Sequence, residues 1–311
     1  MHYPIEEVVV STIAELIEVV DAFELTDRNN KLYFRGENKD HGDSALVPGI
    51  YRSVVRLQQE HEVFREMQRF NDQEFTADKT AFDKISRMQH YQVPTRLLDV
   101  SEDVLSSLYF ALADREHESQ QSAVYLIEVK ADQAKYYDSD AVSVVSNLVK
   151  APLRSGATLF KSKADLLRDA LLYRADIEVF NRADSASYLM HDIKEEKSYF
   201  SNKVDPEHLL SILFVKPKLT NNRLHGQKGA YFLFGLNQND LNKAIPIIQG
   251  GESPRLNSSL QRSQLPMAKI TKVLLGSEIR MKQLEKFGVT TPYIYPEMDK
   301  VSEYLVSRMD T

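Results

Sequence analysis

The stretch Met88-Gln89-His90-Tyr91-Gln92-Val93-Pro94-Thr95-Arg96-Leu97-Leu98-Asp99 constrains the fold of this chain more than any other. Apolar residues recur at helical spacing from about Thr80 to His90, and Pro94 must end that helix. Proline has no N–H to donate and drives the residue before it out of the helical region. Two glutamines, a histidine, a threonine, an arginine and an aspartate crowd around the proline. A helix that only packs has no need of so much mixed hydrogen-bonding chemistry. Tyr33-Phe34-Arg35-Gly36 upstream and Gln227-Lys228-Gly229-Ala230-Tyr231-Phe232 downstream have similar character, which points to a polar site assembled from three distant segments.

Periodicity supplies the remaining elements. Ile5, Val8, Val9, Ile13, Leu16, Ile17 and Val20 predict an amphipathic helix over residues 5–24, with Ser11 and Thr12 able to start a second one inside it. Lys31 to Gly36 reads as a short strand ended by glycine, and the loop from Glu37 to Pro48 as exposed. Helices are expected over 56–80 and 103–114, the latter opened by Ser101, Glu102 and Asp103. Ser122–Val129, Leu210–Val215, Gly229–Phe234 and Ala268–Leu275 read as strands. Helices follow over Ser277–Phe287, capped by Gly288, and from Met298 to about Met309. Strands and helices alternate irregularly, without repeats or a linker. That favours an α+β fold, a mixed or antiparallel sheet with helical additions, over a doubly wound parallel sheet. The expected organisation is a helical lead-in over 1–24 and one domain over 25–308, with a variable, mostly helical insertion at about 132–205.

The 311 residues are enough to bury a large core. The absence of cysteine excludes disulfides, thiolate nucleophiles and cysteine-ligated zinc. A net charge of −6 makes nucleic acid an unlikely partner, since phosphate contacts dominate that affinity. No window approaches the roughly 18 apolar residues of a membrane span, and the N-terminus lacks a signal-peptide pattern, so a cytoplasmic protein without membrane partners is expected. Neither glycine-rich phosphate loop occurs, nor does a G-x-S-x-G elbow. His61-Glu62 lacks the second histidine of a zinc-protease helix, and no metal is expected.

Each candidate residue carries a functional and a plainer reading. Arg35 either aims its fork at a phosphate or carboxylate, with Gly36 letting the backbone turn beside it, or pairs with Glu37 or Asp40. His90 either works as acid, base or donor near neutral pH, or stabilises the end of its helix. Arg96 either faces an anion, with Asp99 holding the segment, or the two simply pair. Gln227 and Gly229 either orient a ligand or form a surface turn.

Together these segments resemble the FRG domain, a bacterial family with a Phe-Arg-Gly motif. Phe34-Arg35-Gly36 matches that motif. Gln89 to Asp99 looks like the family's Q-H-Y-G-x-P-T-R-L-L-D block, with Gln92 where glycine is usual. Leu108-Tyr109-Phe110-Ala111, then Asn222-Arg223-Leu224 with Gln227 and Gly229, then Tyr295-Pro296-Glu297-Met298-Asp299 follow in the family's order. The likeness covers roughly residues 25–308.

A more distant resemblance is to ADP-ribosyltransferases. Tyr33-Phe34-Arg35-Gly36 resembles their NAD-holding first strand, and Thr95 to Ala111, with Ser101, their second. Gln227 to Phe232 stands where the third would carry a glutamate. This implies an NAD-using effector, an ADP-ribosyltransferase acting as a toxin or in phage defence, with a macromolecular acceptor and a neutralising partner. The implied roles are phosphate binding by Arg35 and Arg96, substrate or cofactor binding also by Gly36, Thr95 and Ser101, and stacking by Tyr91. His90 donates to ribose or acts as acid–base group, Gln227 orients the ribose, and Asp99 and Gly229 are supporting. Because glutamine brings no charge to a ribosyl cation, the carboxylate would come from Asp99, Glu37 or Glu278. The alternatives are a sensing module that binds a nucleotide without chemistry, and a nucleic-acid-acting effector.

Overall fold

A computed structural model of the chain describes residues 5–42, 45–113, 121–154, 162–201, 203–218, 228–236 and 265–309. The elements run β1 (Ile5–Val10), α1 (Ile13–Asp21), β2 (Lys31–Glu37), α2 (Val54–Phe70), α3 (Asp72–Phe75), α4 (Ala81–His90), β3 (Leu97–Ser101), α5 (Val104–Leu112), β4 (Ser122–Val129) and β5 (Ala134–Tyr136). They continue with α6 (Asp140–Ser146), α7 (Lys163–Leu172), α8 (Ile177–Arg182), α9 (Asp184–Lys194), α10 (Pro206–Leu210), β6 (Ile212–Lys216), β7 (Gly229–Phe234), β8 (Met267–Leu275), α11 (Met281–Glu285), α12 (Thr291–Ile294) and α13 (Met298–Ser307). The strands form one eight-stranded mixed sheet in the order β1-β8-β4-β2-β3-β7-β6-β5. Only β1–β8 and β5–β6 pair in parallel. The fold is therefore α+β with a mixed sheet and helical additions.

The expected single helix over residues 5–24 is corrected. Ile5–Val10 forms an edge strand paired with β8, and helix begins only at Ile13. The three consecutive valines Val8-Val9-Val10 are stiff β-branched residues that suit a strand. Thr12 then caps α1 by accepting from the Glu15 N–H. Strand β2 also runs past Gly36 to Glu37. The loop after it is not a plain exposed one, because Leu46, Val47 and Pro48 are buried.

Alternation along the strands divides the core. On one face, Phe34, Val124, Leu126 and Val273 pack under α5 and the C-terminal helices. Further along that face, Leu97, Leu213, Tyr231 and Leu233 pack under the layer of α4 and α6–α10. The opposite face carries Tyr33, Leu98, Val100, Tyr125, Phe214 and Phe232, covered by the segment Leu46–Leu57.

Arg96 enters this core just before β3. It is 1 % exposed. Its Nε lies 2.6 Å from Glu60 Oε1, and its Nη groups donate to Glu60 Oε2 and to the Tyr51 hydroxyl, each at 2.7 Å. Lys163, also buried, completes the cluster with Nζ 2.8 Å from Glu60 Oε2. Burial opposes the Glu60 charge, but Arg96 and Lys163 hold its carboxyl below the ordinary 4.5. The expected role of Arg96 as a phosphate-binding residue is therefore corrected: its fork faces an internal acid. It ties the start of β3 to α2 and α7.

The sheet is nearly divided in the middle. β2 pairs with β4 along its whole length and β3 pairs with β7 likewise, but β2 and β3 meet only at Phe34–Ser101. Past that pair the two halves diverge.

Arg96→Ala leaves Glu60 short of a partner and should cost about 3–5 kcal/mol of unfolding free energy in urea titrations. Because the folded carboxyl of Glu60 is depressed, its contribution is present above pH 4.5 and disappears as pH falls through the lower folded value. Wild-type stability should accordingly drop faster below pH 4.5 than that of Glu60→Gln.

Candidate functional site

The divergence of β2 and β3 opens a cleft of about 320 Å³. Its walls come from both faces of the sheet. Phe34, Gly36, Ser101, Ser107, Phe110 and Tyr295 line one side, and Arg35, Glu37, His41 and Arg52 the other. Gly36 is required by packing. A Cβ there would lie 1.8 Å from the Ser107 carbonyl oxygen and 2.6 Å from the Ala111 nitrogen, both backbone atoms of α5. Only glycine lets the helix rest directly on the strand.

Arg35 bridges the gap where ladder bonds are missing. Its Nη1 donates to the Asp99 carbonyl of β3 at 2.9 Å, and its Nε donates to Glu37 Oε1 at 3.2 Å. Its Nη2 has no hydrogen-bond partner among the described residues. Arg52, at the end of a short 3₁₀ turn (Gly49–Arg52), places Nη2 3.5 Å from the same Glu37 oxygen. Its Nη1 meets the His41 ring at 3.0 Å. Burial, and then the Arg52 charge, push His41 below its ordinary 6.5, so the ring is neutral at pH 7 and accepts from the guanidinium.

A smaller cavity of about 200 Å³ lies beside the cleft, lined by Gln89, Gln92, Val93 and Pro94. Arg35 and Arg52 line both spaces. The two chambers thus share a waist built from two cations. The ion pairs to Glu37 leave that waist with a surplus of positive charge.

Other expected residues have mixed positions. His90 lines the cleft with its Nε2 2.8 Å from Glu297 Oε1. Ser101 and Asp99 also line it. The Asp99 carboxylate accepts from Gln89 Nε2 at 2.5 Å. Thr95 is buried beside the cleft's supporting elements, donating to Gln89 Oε1 and accepting from the Leu97 N–H. It orders the turn rather than lining either chamber. Tyr91 is 50 % exposed, bonded to Glu74, and stands outside the cleft with its ring edge-on to His90. Gly229 pairs with Ser101 at the start of β7. Gln227, with Asn222, Arg223 and Leu224, lies outside the described residues. Glu278, named as a candidate carboxylate, follows β8 and does not line the cleft.

Sequence reasoning missed Arg52 and His41. Neither belongs to a motif; His41 lies within the loop that reads as solvent-exposed, and Arg52 follows it. One signal for the Arg96 cluster was available: Glu60 falls in register with Leu57 and Phe64 on the buried stripe of α2, where a lone carboxylate requires a cationic partner. Among the described residues, no group of three His, Asp or Glu side chains is arranged to hold a metal ion. No described helix is long and apolar enough to cross a membrane.

Residues 30–120 match the family model of the FRG domain. The match runs from β2 through α5 and contains the cleft's Arg35, Gly36, Glu37, His41, Arg52, His90, Asp99 and Ser101. No curated protein and no solved structure matches the chain.

Gly36→Ala forces α5 off the strand, because the atoms it meets are backbone and cannot rotate away. It should cost about 3 kcal/mol or more in urea unfolding, well above a typical exposed substitution.

Proposed function

We propose that the cleft binds a dinucleotide of the NAD class, and that the protein is a nucleotide-using effector that transfers ADP-ribose. The observation that carries this reading is the waist. Two guanidiniums stand between two chambers, and a dinucleotide is two nucleosides joined by a pyrophosphate. Planar forks recognise phosphate oxygens well. The combined size of the chambers falls within the ordinary range of small-molecule sites.

In this reading the bond between the ribose carbon and the nicotinamide nitrogen breaks, and the electron pair leaves with nicotinamide. The ribosyl cation is captured by a hydroxyl, carboxylate or water oxygen of the acceptor. His90, supported by Glu297, takes up the proton that a hydroxyl or water acceptor loses. Ser101 stands where the sheet parts and orients the ligand. A bacterial toxin or phage-defence setting, cytoplasmic location, a macromolecular acceptor and a neutralising partner belong to the same proposal through the family likeness.

The second reading is a sensing module without chemistry. Gln227 favours it, since the resemblance puts an amide where ADP-ribosyltransferases carry a glutamate, and an amide brings no charge to a developing cation.

Thermal-shift and calorimetric titration with NAD, ADP-ribose and ATP tests binding, and labelled NAD with cell extract tests transfer. NAD should raise the melting temperature. Arg52→Met should weaken NAD binding by roughly 10- to 100-fold, the value of one or two charge-assisted hydrogen bonds. Binding without transfer or hydrolysis would select the sensing module. No binding of any of these nucleotides would end the proposal.

A further inference from the structure

Glu37 is 3 % exposed, yet only one of its oxygens is served. Oε1 accepts from Arg35 and from the Leu46 N–H at 3.3 Å, and lies near Arg52. Oε2 is buried with no hydrogen-bond partner among the described residues. A second such group stands on the same face. Tyr125 is the ladder partner of Arg35, and Glu37 lies two residues further along β2. The Tyr125 hydroxyl is also buried and without a partner among the described residues. Burial first, and then the Glu37 charge, raise its phenol far above the ordinary 10.0, so it keeps its proton. Glu37 itself lines the cleft.

Buried polar groups are almost always satisfied, and each exception calls for an explanation. Here one orphan accepts only, and the other is a protonated donor. A single hydroxyl meets both needs, because it donates to a carboxylate and accepts from a phenol. An ammonium group has no lone pair to accept from the phenol, and a phosphate would be repelled by the carboxylate.

We propose that Glu37 and Tyr125 form a hydroxyl-recognising subsite that takes a ribose hydroxyl of the bound dinucleotide. This rests on the nucleotide reading of the cleft. The nearby guanidiniums then fix which part of the ligand arrives, since a pyrophosphate at Arg35 and Arg52 brings its flanking ribose to β2. Glu37 lies on the first strand of the site, so the carboxylate that Gln227 cannot supply comes from the strand that also carries Arg35.

The test uses the full chain and calorimetric titration with NAD and two analogues, each lacking the 2′-hydroxyl of one ribose. Wild type should bind one analogue at least tenfold more weakly than NAD. Glu37→Gln and Tyr125→Phe should bind NAD more weakly and lose that discrimination. Tyr125→Phe removes a single oxygen and provides the comparison even where Glu37→Gln fails to fold. Equal wild-type affinity for NAD and both analogues overturns the subsite while the nucleotide reading stands. Weakening of all three ligands by one common factor in both variants, with discrimination kept, also overturns it, because that is what misplaced arginines alone would produce. Failure of the wild type to bind NAD removes the nucleotide reading and the subsite with it.

Discussion

Helix α5 lies on the bare backbone of β2 at Gly36, and the geometry of the cleft depends on that contact. A helix held this close fixes the tilt of β2 against its neighbour β4. Strand β3 follows a different partner, β7, and is anchored from below by the Arg96–Glu60 pair. The two halves of the sheet thus answer to separate constraints and agree only at Phe34–Ser101. What opens between them is a gap whose unpaired strand edges bring backbone and side-chain polar groups to one place. Arg35 crosses it through a guanidinium bond to the Asp99 carbonyl, which replaces a ladder bond with a charged one.

Arginine does two different jobs within this short span of sequence. Arg96 is enclosed by an acid, a phenol and a lysine–acid contact, and lines neither chamber. Arg35 shares its acid with Arg52 and keeps part of its fork uncommitted. Local sequence does not separate the cases, since both arginines adjoin a short strand and both have a carboxylate a few residues away. What separates them is the partner brought by the fold. Glu60 is fully enclosed and ion-paired through both oxygens to two cations. Glu37 carries two guanidiniums on one oxygen and leaves the other bare.

Much of the architecture was legible in the sequence. The helix from Thr80 to His90, its halt before Pro94, and the strands over 122–129, 210–215, 229–234 and 268–275 follow from periodicity, and the structure moves their boundaries by only a few residues. The first strand was not legible because Ile5, Val8 and Val9 fit helical and extended spacing equally. Its pairing with β8 decides the matter, and that pairing is invisible locally. The same limit hid Arg52 and His41, which enter the site because Leu46 and Val47 pull their loop into the core. The glycine expected at position 92 has a physical reason, since Gln92 sits at φ +62°, a left-handed conformation that a side chain adopts at a cost. This chain keeps a glutamine there, on the wall of the smaller chamber.

The parallel pairing of β1 with β8 has a consequence for biogenesis. Ile5 finds its register against Ile270, so β1 has no partner in β8 until the long stretch between them has left the ribosome. Local helices close early, whereas this edge is among the last contacts to form. Val9, outward-facing and two-thirds exposed even when folded, belongs to a valine-rich strand that stays uncovered throughout that interval. Nascent chains therefore carry an uncovered valine-rich strand, and their yield should depend on how quickly the stretch from β1 to β8 is made.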